Sequence, residues 1–415
     1  MVSHGAPDET LTLLMFPPDP KCATRRREKV LSHASAIRHV CCVLLATTRK
    51  GFAQLKIRLG VSLLLGSILL SGACTNLPDP VAKAAAIPMW PQFPDQPRFM
   101  YETVLLDSRS IEQETVWERQ RRTLTGASKD VSGFKKPLGV AARGGRIYVS
   151  DTEGRRVHVF DVPRRRYFTF GFRGDGVLQK PIGVSIDANG NVYVADVGMR
   201  RVVKYDGMGR FLAAFGNATD LDRPTGVGVS PRGDRIYVVD AGGVESDKHQ
   251  VVAYDGEGKK LFAIGSRGKE EGRFNLPVDA AVAPDGTLYV LDAGNFRVQA
   301  FDRDGRFLRA FGKVGSGPGQ FSRPRGIAVD RDANVYVTDA GFGNVQLFDS
   351  TGRLLLALGE RGVDDAPGRY RLPSGVAVDE TGRVYVVDQF YNKIEVVRRL
   401  SDIEGEGMLA AFLKR

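Results

Sequence analysis

Few side chains in this chain are equipped for chemistry, and their placement narrows what they can do. All four cysteines, Cys22, Cys41, Cys42 and Cys74, precede residue 75, and only His158 and His249 fall beyond residue 98. A three-histidine zinc site and a thiolate metal site are therefore excluded from residues 98–400, and no metal or other cofactor is expected there. No Ser-His-Asp order or phosphate-cradling glycine loop is present, so no catalytic residues are assigned. What remains is acid and base in a pattern. Asp151, Asp196, Asp240, Asp292, Asp339 and Asp388 each end a Tyr-Val-x-Asp run, and in four cases a basic residue stands five positions on (Arg156, Arg201, Arg297, Lys393). So constant a spacing reads as a turn aspartate that caps its own loop and is braced by its partner. Asp151/Arg156, Asp196/Arg201 and Asp292/Arg297 are accordingly assigned to structure.

Ligand binding on a repeated scaffold is expected where the copies differ. Asp279 takes the place of the glycine in the recurring Pro-x-Gly. Arg143 stands where four of the other five copies carry aspartate or serine, and the third copy has an expanded loop, 241–249, ending in His249. Arg155 and Arg200, each next to a bracing arginine, complete the candidate binding set.

The elements that must position these residues are short strands. Each copy runs Pro-x-Gly-Val-Ala-Val, a turn, Tyr-Val-x-Asp, a Val-x-Val-Phe-Asp-like run and, in five copies, a Phe-Leu-x-x-Phe-Gly-like run. The six aspartates are separated by 45, 44, 52, 47 and 49 residues. Runs of β-branched and aromatic residues divided by Asp/Gly turns at this period predict a six-bladed β-propeller, with one four-stranded antiparallel sheet per blade. In a blade of strands a to d, the b–c and d–a connections emerge on one face. That face collects Lys136, Lys180, Arg223 and Arg323, which precede the prolines, and the basic residues after each Tyr-Val-x-Asp. A cationic rim around a central channel favours anionic partners.

The copies resemble NHL repeats, most closely over Phe274–Gly312, which reads Phe-x-x-Pro, Gly-Thr-Leu-Tyr-Val-Leu-Asp, Ala-Gly-Asn-Phe-Arg-Val-Gln-Ala-Phe-Asp and Gly-Arg-Phe-Leu-Arg-Ala-Phe-Gly. The resemblance covers about two-thirds of the chain and implies a monomeric binding or scaffold propeller. It also brings in two alternatives known among relatives: a lyase or hydrolase with its active site at the channel mouth, and an RNA-binding domain.

Composition is globular, with 42% apolar and 26% charged residues. Of the net charge of +11, +6 lies in residues 1–73, so the remainder does not argue for nucleic acid. Lys56-Ile-Arg58, an apolar run and Ser-Gly-Ala-Cys74 resemble a bacterial lipoprotein signal, although Ser71 occupies the position where such signals usually carry leucine. The resemblance implies acylation of Cys74 and export, with Thr75 directing the protein to the outer membrane of a Gram-negative cell. The expected organisation is an extension of misassigned or disordered sequence (1–54), a signal peptide (55–74), a Pro/Ala-rich tether (75–97), the propeller (98–400) and a tail (401–415). Residues 98–106, with period-2 alternation, are expected to close the last blade, with 408–413 as the alternative. Residues 111–123 are polar and helix-compatible. The partner is expected to be a protein, peptide or glycan, held on the b–c and d–a face.

Overall fold

The computed structural model describes residues 87–126, 132–243 and 245–414. The expected extension, the signal with Cys74 and most of the tether lie outside the described residues. From residue 137 onward, each repeat forms an antiparallel sheet whose strands follow one another in sequence order, and six such sheets make a β-propeller. The first strand of every blade lines the central channel: Pro137–Arg143, Pro181–Ile186, Pro224–Val229, Pro277–Val282, Pro324–Val329 and Pro373–Val378.

Alternation along each strand supplies both faces of each sheet. In blade one, Ile147 and Val149 pack toward blade six, while Tyr148, Val157 and Val159 pack toward blade two. The same arrangement buries a cluster in each further gap between blades, so each blade is covered by a neighbour on both faces. The six repeated tyrosines bring their hydroxyls into these gaps. Those of Tyr193, Tyr336 and Tyr385 donate to Asp187, Asp330 and Asp379 within their own blades. Those of Tyr148, Tyr237 and Tyr289 donate instead to the carbonyls of Gly207, Arg303 and Ser350 in the next blade, tying neighbours together.

The sixth blade takes its outer strand from ahead of the first repeat. Phe99–Leu105 pairs antiparallel with Lys393–Arg399, and Met89–Trp90 adds a short edge beyond it. Glu102 anchors this strand through an ion pair of 2.7 Å to Arg383. The alternative closing segment, 408–413, belongs to a helix, α2 (Asp402–Leu413), capped by Ser401 and Glu404 and fixed by Phe412 stacking on Phe93. A helix named α1, Val116–Thr125, is held by a Thr115/Glu118 capping box and buries none of its residues.

Candidate functional site

Each inner strand opens on a proline paired with the Tyr-Val-x-Asp aspartate of the second strand. Proline cannot donate, so the buried carboxylate takes the backbone N–H groups of the two residues before it. Asp151 accepts from Lys135 and Lys136, Asp196 from Gln179 and Lys180, and Asp339 from Ser322 and Arg323. The same carboxylates also cap their own turns, through Gly154, Gly198 and Gly341. One acid thus clamps the d–a and b–c connections together, and both open on one face.

Two rings of residues build the channel mouth on that face. The residue after each proline forms the wall: Leu138, Ile182, Thr225, Val278, Arg325 and Ser374. One residue further in is the constriction: Gly139, Gly183, Asp279 and Gly375 line it, and Gly226 and Gly326 hold the same position against Asp279 and Gly375. Backbones touch here. A Cβ on Gly326 would lie 2.4 Å from the Ser374 carbonyl, and one on Gly375 would lie 2.4 Å from that of Leu138. The cavity above the constriction holds about 350 Å³ and is rimmed by Lys136, Lys180 and Arg223, with Thr152 and Gln389 beside them.

Asp279 is the one side chain in the glycine ring. Its Oδ1 accepts from the Ala280 amide (3.0 Å) and its Oδ2 from the Ile327 amide of the next blade (3.3 Å). Burial pushes the carboxyl up to about 7, against the smaller pull of these two amides. Arg325 shares the cavity. Its Nε is buried without a hydrogen-bond partner, and burial together with Arg323 draws its guanidinium downward. An open groove of about 870 Å³ continues from the mouth between blades two and three, lined by Arg200, Asp222, Arg223, Gly243, Glu245 and Ser246.

The other sequence candidates distribute unevenly. Arg200 lines the groove, whereas Arg155 lines neither groove nor mouth. Both adopt left-handed backbone in their turns, at φ 50° and 53°. Arg143 ends the inner strand of blade one, at the opposite end of the channel. His249 is buried, and its Nδ1 accepts from the Leu276 amide at 3.1 Å. In the blades above, the equivalent amide goes to the turn aspartate. The histidine therefore redirects the entry into blade four, the strand that carries Asp279. Arg325, Thr225 and Ser374 were missed by sequence reading. Their signal was available, since the residue after the proline is apolar in three copies and polar in these three.

The five-residue spacing marks an ion pair in blade four, where Arg297 Nε meets Asp292 at 2.9 Å. The reading fails in the first two blades. Arg156 donates to the Gly154 carbonyl, and Arg201 reaches the Val177 carbonyl. Their aspartates are already saturated by amides, and Asp151 also by His158. Arg297→Ala is therefore expected to cost about 3 kcal/mol, the range for breaking a buried pair, and to lower the melting temperature clearly. Arg156→Ala should cost less than about 1 kcal/mol. Equal losses in thermal denaturation would refute this distinction.

Fold and geometry together define a six-bladed propeller with a charged cavity at one channel mouth. A family model described as a six-bladed β-propeller matches residues 278–341, and the NHL-repeat model matches residues 178–205, in support of that family. Protein brain tumor of Drosophila melanogaster is 34% identical over 137 residues, which are 32% of this chain and only 12% of that protein. Among solved structures, a protein of unknown function from Bacteroides thetaiotaomicron is 20% identical with a TM-score of 0.49, covering 64% of this chain and 70% of its own. A gluconolactonase from Xanthomonas campestris is 18% identical at TM-score 0.48, over 72% of this chain and 98% of its own. Virginiamycin B lyase from Staphylococcus aureus is 12% identical at TM-score 0.47, over 64% and 95% respectively.

Proposed function

We propose that this chain is a binding propeller that captures an acidic segment of a protein, peptide or glycan partner along the groove and mouth of one face. The observation that carries this reading is that cavity and groove share Arg223. Among the described residues, no carboxylate lies within ion-pair distance of Lys180, Arg200, Arg223 or Arg325; Lys136 meets Glu153 at 3.7 Å. Cations outnumber acids around this concave site, with Asp222 and Glu245 in the groove and Asp279 in the mouth, and such a surplus attracts anions and steers their approach. A fluorescent Asp/Glu-rich decapeptide tests it. Arg200→Glu combined with Arg223→Glu should weaken binding at least tenfold, about 1.4 kcal/mol, and added salt should weaken it further. Arg155→Glu, outside groove and mouth, should change it little. Equal effects of the two sets would sink the assignment of the face.

The reading extends to location. The basic residues, apolar run and Ser-Gly-Ala before Cys74, followed by a Pro/Ala-rich tether, favour an exported protein held to a membrane by acylation of Cys74. Fatty-acid labelling of the wild type and of Cys74→Ser tests this, with loss of label and release from the membrane fraction expected in the variant. A lyase or hydrolase at the mouth has less support. Asp279 is the lone carboxylate and no histidine is among the residues lining it. For RNA, no aromatic side chain on which bases could stack is among the described residues that line the mouth.

A further inference from the structure

Asp279 and Arg325 share one cavity, yet neither balances the other. The carboxylate is occupied by two backbone amides, and the guanidinium Nε, buried, has no acceptor. Around Asp279, the inner strand of blade three presents Thr225 and Gly226, and that of blade five presents Gly326 and Ile327, none of them charged. The charges that share the mouth with it are Arg325, Arg223, Lys180 and Lys136. The Ser374 hydroxyl is committed to the Leu138 carbonyl, so it is not a free donor. An anion entering this cavity would satisfy the orphaned Arg325 Nε but would approach an ionised Asp279.

We propose that the mouth seats one carboxylate or phosphate group of the partner and that Asp279 takes up a proton from solvent as the group is bound. Two like charges in one buried site cannot both be ionised without a large penalty, so the weaker acid holds the proton. Once protonated, Asp279 gains an O–H donor that it offers to the seated anion, while it keeps acceptor capacity for the backbone amides. The proton is the only covalent change: it passes from water to a carboxylate oxygen and returns on release. A carboxyl already raised by burial takes this proton close to neutrality, where a carboxylate at its ordinary value would not. The cavity of about 350 Å³ accepts a terminal group and not a folded partner, in keeping with a charged tip inserted from the groove.

This inference rests on the mouth and groove being the partner site, and the experiment separates the two claims. The full chain carrying Cys74→Ser is titrated calorimetrically with sodium sulfate, a tetrahedral anion that does not titrate near neutrality, and with a hexa-aspartate peptide. Titrations are run at pH 6.5 and 8.5, at fixed ionic strength, in two buffers of different ionisation enthalpy. Tighter binding at pH 6.5, by roughly tenfold, and a buffer-dependent heat that reports proton uptake are expected. Sulfate alone showing this points to phosphate recognition, and the peptide alone to carboxylate recognition. Asp279→Asn should remove both the buffer and pH dependence, and Asp279→Gly, which restores the residue of the other five blades, should do the same if the amide variant folds poorly. Arg325→Gln should weaken binding at both pH values. Binding that is equal at both pH values and independent of buffer, yet lost in the Arg200/Arg223 reversal, overturns the proton coupling and leaves the binding face standing. Failure of both probes to bind overturns both claims.

Discussion

Replacing Asp279 by asparagine is expected to stabilise the propeller at alkaline pH and to do so much less in acid. The carboxyl titrates near 7 in the folded protein, raised by burial from an unfolded value of 3.8. Below about pH 4 both states carry the proton and its burial costs nothing extra. Between about 4 and 7 the folded state holds a proton that the unfolded chain has lost, so stability falls as pH rises; above 7 the whole penalty of burying the charge is present. The advantage of Asp279→Asn over wild type should therefore grow by about 3 kcal/mol between pH 4.5 and 8, at roughly 1.4 kcal/mol per unit. The absolute gain at pH 8 is smaller than the full penalty. An amide oxygen can replace one carboxylate oxygen as acceptor, but the NH₂ group leaves either the Ala280 or the Ile327 amide without its partner, at about 1 kcal/mol. Melting curves of both proteins across this range decide the matter. A difference in melting temperature that does not move with pH would show that Asp279 is solvated and ordinary.

Alanine in the constriction should be among the most damaging substitutions the domain can carry. The Cβ of Gly375→Ala would sit 2.4 Å from the Leu138 carbonyl oxygen, and that of Gly326→Ala 2.4 Å from the Ser374 carbonyl oxygen. Neither neighbour is a side chain that can turn away; each belongs to an inner strand hydrogen-bonded into its own blade. The ring must widen as a whole. Each substitution is expected to cost about 3 kcal/mol, at the upper end for overpacking. The pair should cost less than the sum, because one widening serves both sites. Gly407→Ala is the contrast: within α2, with nothing closer than 4 Å to a new Cβ, it should be neutral or stabilising by up to about 1 kcal/mol. Chemical denaturation of the four variants tests the set, and a mild, additive pair at 326 and 375 would mean that the blades do not close on glycine contacts.

These expectations differ in how far each could be reached without coordinates. The six blades, their four strands and their bounding turns were legible in the chain, because strand alternation and turn chemistry are local and are restated at every copy. Asp279 was legible for the same reason, as the single departure from Pro-x-Gly. Repetition also misled. Five-residue spacing suggested that Arg156 and Arg201 brace Asp151 and Asp196, whereas both arginines reach backbone carbonyls instead. The destination of a long charged side chain is set by which acceptors remain unsatisfied nearby. Pre-proline amides had already claimed those aspartates.

What the sequence by itself determined, then, is the repeating sheet and the residue types set around a channel. Only the tertiary structure decided which of them meet. Packing of blade five on blade four puts Arg325 in the cavity of Asp279, and closure of the ring brings Ser374 to Leu138, from the two ends of the repeat array. It also chose residues 99–105 over 408–413 as the last outer strand. It turned His249 inward to hold Leu276 and left Arg143 at the far end of the channel. The physical reason is that strand pattern is a property of neighbours along the chain. A site at the axis of a ring depends on how six separate strands approach one another, and no local pattern records that distance.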